Sequence, residues 1–203
     1  MSTPCIVWRG DFSTGDLSQW AEEPQSGPGG LLVRPFPTEL RHLGNRNYLL
    51  VTVTPEDKYS DGNRSELIHQ PRYGTETGTE YFCRWSTLFP ESTNGHTFFP
   101  VTGDWQVITQ WHQSDGIGSP PIGFGVTDVK GCPYIVLDLW QETTNELRRV
   151  AEIPYQEGVW YDFVLQVKFS DCYEQGFVNL WCGNPQVYQQ QKADSSGRRN
   201  TRS

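Results

Sequence analysis

Between residues 160 and 169 the chain reads WYDFVLQVKF, in which Tyr161, Phe163, Leu165, Val167 and Phe169 alternate with Asp162, Gln166 and Lys168. A period of two sends successive side chains to opposite faces of a strand. The segment therefore predicts a sheet with one face on a core and the other in water. The pattern recurs along the chain. NYLLVTVTP (47–55), RSELIHQ (64–70), EYFCRWSTLF (80–89), WQVITQWHQ (105–113), IGFGVTD (122–128), YIVLDLWQE (134–142) and FVNLWCGN (177–184) read as further strands. Between them lie turn-forming stretches such as EDKYSDGN, GIGSPP, DVKGCP and DCYEQG. No segment carries a helical stripe. Eight or more antiparallel strands with long connections predict an all-β fold, two packed sheets in a jelly-roll sandwich.

At 203 residues the chain suits one large β domain, and its 20 Gly and 14 Pro supply the turns that many strands need. A formal net charge of -8 argues against nucleic acid, which needs a basic face. It leaves an acidic polysaccharide open, because a few local cations can grip such a polymer when distant charges are screened beyond about 8 Å. The amino terminus shows no basic start followed by an apolar run, and no stretch approaches the ~20 apolar residues of a membrane span. Neither a signal peptide nor a membrane partner is expected on that pattern. Cys5, Cys83, Cys132, Cys172 and Cys182 form no metal-ligand spacing, and an odd count leaves at least one thiol free. Cys83 alternates with Tyr81 and Trp85 and reads as core. Cys172 and Cys182 flank one predicted hairpin and are candidates for a disulfide.

Two short stretches raise the question of function. In NRSELIHQ, Arg64 and Glu66 share a strand face, and in ITQWHQ so do Gln110 and His112. Alternation in WQVITQWHQ sends Trp105, Val107, Thr109 and Trp111 to the core and leaves Gln106, Ile108, Gln110 and His112 outside. In YIVLDLWQE the core set is Ile135, Leu137 and Leu139, so Tyr134, Asp138 and Trp140 share the open face, where an exposed indole offers a platform for a sugar ring. The strand of Arg64 and Glu66 and the strand of Gln110 and His112 are expected to line one carbohydrate cleft together. A plainer reading stands beside each: an ion pair for Arg64 and Glu66, a hydrogen-bonded histidine for His112, and core for Trp140 if the register slips by one.

An ordered set of segments then carries a family resemblance. GDFSTGDLSQW, GNRSEL, YFCRWSTLFPE, WQVITQWHQ followed by GSPPIGFGV, EGVWYDFVLQVKFS and GFVNLWCGN, spanning roughly residues 10 to 185, resemble the heparin lyase I-like and glucuronan lyase group of polysaccharide lyases. The RSEL and Q-x-H pair is also similar to strands of jelly-roll alginate lyases. The resemblance implies a concanavalin A-like jelly-roll, a secreted protein and cleavage of a glucuronan-, alginate- or heparin-like polymer by β-elimination. It implies no required cofactor, although related folds carry a structural calcium ion held by oxygen ligands. A monomer is expected.

Elimination needs the charge of a uronate carboxylate answered, so that the proton on the adjacent carbon becomes acidic enough to remove. Arg64 and Gln110 suit that task, and His112 suits the base or a carboxylate partner. Glu66 would orient Arg64, while Arg84, Tyr134, Asp138 and Trp140 would hold substrate. The group also carries a C-terminal strand with a Lys-x-Gly-x-Tyr stretch whose tyrosine takes part. Here the chain reads QQQKADSSGRRNTRS, so the domain is expected over 1–188 with a polar, unordered tail over 189–203, and Tyr188 and Tyr134 are the remaining candidates. That departure keeps open a non-catalytic carbohydrate-binding jelly-roll or a shortened, inactive relative. A glycoside hydrolase ranks third: Asp138 and Glu142 supply carboxylates, but Val136 stands where the first would be needed.

Overall fold

The computed structural model describes residues 5–20, 30–59, 62–69, 77–91, 105–112, 119–141, 146–170, 175–183 and 188–194. Two compact units divide the chain at Gly74 and Thr75. Among the described residues the strands of the first unit pair with one another.

In the first unit, β1 (Leu31–Pro35) and β2 (Asn47–Val51) form an antiparallel hairpin. The short β3 (Lys58–Tyr59) and β4 (Gly62–Asn63) form a second. The strand expected over 64–70 is absent as a ladder: beyond β4 only Glu66 makes an isolated bridge, and Gln70 lies outside the described residues. The turn is fixed by Asp57, buried to 7% exposure, whose Oδ2 accepts the Thr54 N–H at 2.7 Å. Trp8 stacks on His69 with ring centres 3.9 Å apart and meets Trp20 edge-on at 4.8 Å.

The second unit is a two-sheet β sandwich. One sheet has the order β12-β11-β10-β5, from β5 (Glu80–Leu88), β10 (Trp160–Lys168), β11 (Phe177–Gly183) and β12 (Tyr188–Asp194). The other runs β6-β7-β8-β9, from β6 (Trp105–Trp111), β7 (Ile122–Val129), β8 (Cys132–Gln141) and β9 (Glu146–Pro154). All pairings are antiparallel. The predicted alternation in β10 is realised: Tyr161, Phe163, Leu165 and Val167 are buried, and the residues between them are only partly so. They meet Phe124, Val126, Ile135, Leu137 and Leu139 of the facing sheet in one core, with Phe124 edge-on to Phe163 at 4.7 Å. Each such side chain contributes about 1.5–3 kcal/mol on burial, so the sandwich is held by its interior.

Three features depart from the expectations. Segment 146–154 is a full strand, because it closes the sheet beside β8. The tail expected to begin at 189 instead continues the sheet: residues 188–194 pair with β11, since that edge offers unpaired backbone groups. Residues 195–203 lie outside the described residues. Cys182 is a free thiol buried in the core, and its proposed partner Cys172 lies outside the described residues.

Turn chemistry sets the β7–β8 register. Lys130 and Gly131 both take positive φ, 55° and 83°, the backbone of a two-residue hairpin turn whose twist matches the flanking strands, and Asp128 Oδ1 accepts the Gly131 N–H at 2.9 Å.

Candidate active site

The outward face of the β6–β9 sheet gathers most of the residues singled out by alternation. In β6 the pairing shifts between Val107 and Thr109, so Ile108 is an extra residue in a bulge. A single insertion exchanges the faces of everything before it. Trp105 and Val107, expected in the core, are therefore 71% and 46% exposed, while Ile108, expected outside, packs against the core. Beyond the bulge the expectation holds: Trp111 packs inward, and Gln110 and His112 are exposed.

Register then aligns one row across all four strands. Gln110 pairs with Gly123, Gly123 with Asp138 and Asp138 with Arg149. His112 lies two residues beyond Gln110, and Trp140 two beyond Asp138. Strands about 4.8 Å apart place Gln110 and Asp138 roughly 10 Å from each other, with no side chain on the strand between them. Tyr134 shares the face but lies four residues from Asp138, roughly 13 Å along the strand, in the row of Thr127 and Trp105.

Arg149 was not legible in the sequence. A second shift, between Leu137 and Asp138, makes Val150 the extra residue and brings Arg149 opposite Asp138. Its Nε donates to Asp138 Oδ1 at 3.1 Å and its Nη2 to Oδ2 at 3.3 Å. Nη1 stands 3.8 Å from Glu152 Oε1. One guanidinium thus answers two carboxylates, and its charge is already matched within the protein. Gln110 is the neutral donor on the row, and its amide has no protein partner among the described residues.

The remaining candidates belong to other elements. Arg84, on β5, points away from Tyr81, Cys83 and Trp85, which pack on the core, and so lies on the outward face of the opposite sheet. It shares no surface with Asp138 and Trp140. Arg64 and Glu66 belong to the first unit, where Nη1 and Oε1 form an ion pair of 3.2 Å. Tyr188 stands opposite Gly183 in the β11–β12 register. Of the two hydrolase carboxylates, Asp138 has both oxygens on Arg149, and Glu142 lies outside the described residues. Among the described residues no group of three or more His, Cys, Asp or Glu side chains is arranged to hold a metal ion.

Comparison with known proteins gives a family match. The family model described as Polysaccharide lyase aligns with residues 12–200, nearly the whole chain. No curated protein and no solved structure matches.

Proposed function

The chain belongs to the polysaccharide lyase family, and on that premise we propose that it cleaves a uronic-acid polymer of the glucuronan, alginate or heparin kind by β-elimination on the outward face of the β6–β9 sheet. The observation that carries this reading is the row Gln110–Gly123–Asp138–Arg149, with His112 and Trp140 one step further along the same face.

Elimination moves one proton and one electron pair. The base takes the proton from the carbon bearing the carboxylate, the electrons of that bond form a carbon–carbon double bond, and the bond to the glycosidic oxygen breaks. That oxygen leaves with a proton from a general acid, the place the resemblance gives to a tyrosine. Negative charge accumulates on the substrate carboxylate as the proton departs, so donors aimed at it accelerate the step. Gln110 supplies amide hydrogens that have no partner among the described residues. Since Arg149 is already matched by Asp138 and Glu152, it holds the row in shape rather than receiving the substrate's charge. His112, exposed and next along the face, is the base. Trp140 and Tyr134 offer ring faces to sugar units bound on either side.

The test is ultraviolet absorbance of the purified chain incubated with a panel of glucuronan, alginate, heparin and other uronate polymers. A rise on one polymer reports the unsaturated uronate that elimination creates and identifies the substrate. A flat trace from folded protein that still retards a polymer in affinity electrophoresis would convert the reading to a binding module.

A further inference from the structure

Two glycines of β7, Gly123 and Gly125, stand in the same outward register as Gln110 and Asp138, and physical chemistry accounts for only one of them. At Gly125 a Cβ would lie 2.4 Å from the carbonyl oxygen of Gln106, beside the bulge, so the close approach of two backbones demands glycine. At Gly123 a Cβ would meet no atom of the described residues within 4 Å, and the residue is not among those with positive φ. Neither space nor backbone conformation asks for glycine there. Glycine in a strand interior is a cost, roughly 0.5–1 kcal/mol relative to alanine, and a β-branched residue would favour the strand more. The position is nevertheless the one between Gln110 and Asp138.

We propose that Gly123 is the floor of the sugar subsite: the missing side chain lets one uronate ring of the polymer lie against β7, between Gln110 and the Asp138–Arg149 pair. This rests on the reading of the face given above and makes Gly123 a specificity-determining residue. It excludes nothing by charge. It admits a ring by leaving room, and any side chain would occupy the volume that the ring needs.

The test is the series Gly123→Ala, Gly123→Thr and Gly123→Val, each measured for its unfolding midpoint, for kcat and KM on the polymer that the panel identifies, and for polymer retardation in affinity electrophoresis. The expected midpoints equal or exceed that of the parent, while KM rises with side-chain volume, by at least tenfold for Val, and retardation falls in the same order. Gly125→Ala is the contrasting control and should lower the midpoint. Undiminished binding and KM in Gly123→Val would overturn the role of Gly123 alone, as would a loss of stability in Gly123→Ala that accounts for its loss of activity. A parent protein that neither binds nor cleaves any polymer of the panel would overturn the reading of the whole face, and Gly123 with it.

Discussion

Arg149 forks onto Asp138 across the β8–β9 ladder, with parallel N–H···O bonds of 3.1 and 3.3 Å, and it does so because Val150 is an extra residue that shifts the register by one. The pair is partly open to water, at 34% and 16% side-chain exposure, so its net contribution is modest. Arg149→Leu is expected to cost about 1 kcal/mol, chiefly by leaving the Asp138 carboxylate unpaired, and Asp138→Asn in the same background should add little. Urea unfolding of the two single variants and the double variant measures the coupling. Strictly additive losses would show that the two side chains do not act as a pair.

The β6 bulge separates two tryptophans that a simple alternation would treat alike. Trp105 is 71% exposed, whereas Trp111 packs on the core and meets Trp85 edge-on at 5.6 Å. Trp105→Ala should change stability by less than about 0.5 kcal/mol, and Trp111→Ala should cost about 3 kcal/mol or more by opening a cavity. Thermal unfolding compares them directly. Equal losses would remove the bulge from the account of this strand.

That contrast shows where the sequence was readable. Phe163, Leu165 and Val167 announced their burial because nothing interrupts the period of two in β10, and in β8 the buried Ile135, Leu137 and Leu139 leave Tyr134, Asp138 and Trp140 on the outward face even though Val136 between them is buried too. Trp105 and Ile108 were misread because one inserted residue inverts the pattern without changing composition. Arg149 was missed for the same reason, since Val150 and Ala151 are both buried and blur the alternation of β9. The pairing of β12 with β11 has no signal in QQQKAD, whose polarity alone argues against a strand. Arg84 could be assigned to an outward face from its neighbours, but which of two sheets owned that face is a matter of topology.

Acid should loosen the first unit through Asp11. The Gln19 amide donates to its Oδ1 at 3.0 Å and the Ser13 N–H at 3.1 Å, and with Arg9 nearby they pull its pKa from 3.8 down to about 2. A carboxylate depressed in the folded state stabilises fully above its unfolded pKa, and that stabilisation is lost as the pH falls toward the folded value. The window is therefore about pH 4 to 2. Asp11→Asn, which keeps an acceptor but cannot titrate, should show a shallower fall in stability across that window, followed by denaturant unfolding at stepped pH. Parallel curves for the two proteins would remove Asp11 from the acid response.

Cysteine reactivity should sort by burial. Burial raises the Cys83 thiol, and burial together with the Asp162 charge pushes Cys182 up to about 11, whereas Cys5 and Cys132 are exposed. The thiolate is the nucleophile, so brief alkylation of native protein near pH ~8 should label Cys5 and Cys132 at least about tenfold faster than Cys83 and Cys182. Peptide mapping by mass spectrometry reads the order. Rapid labelling of Cys182 would mean that the β10–β11 side of the core opens readily.

His112 follows directly after β6 and is exposed, so its removal disturbs no core packing. His112→Ala should leave the fold intact, read as a single cooperative unfolding transition like that of the parent. A general base of this kind is worth about 10²–10⁴ in rate, so turnover should fall by that factor or more while the polymer is still retarded in affinity electrophoresis. Gln110→Ala should differ in kind. On the proposed reading it removes donors to the substrate carboxylate in both ground and transition states, so both binding and turnover should weaken. If His112→Ala keeps full eliminating activity, the base lies elsewhere on the face. If it loses binding and turnover together, His112 meets the carboxylate instead, and the proton is taken by another group.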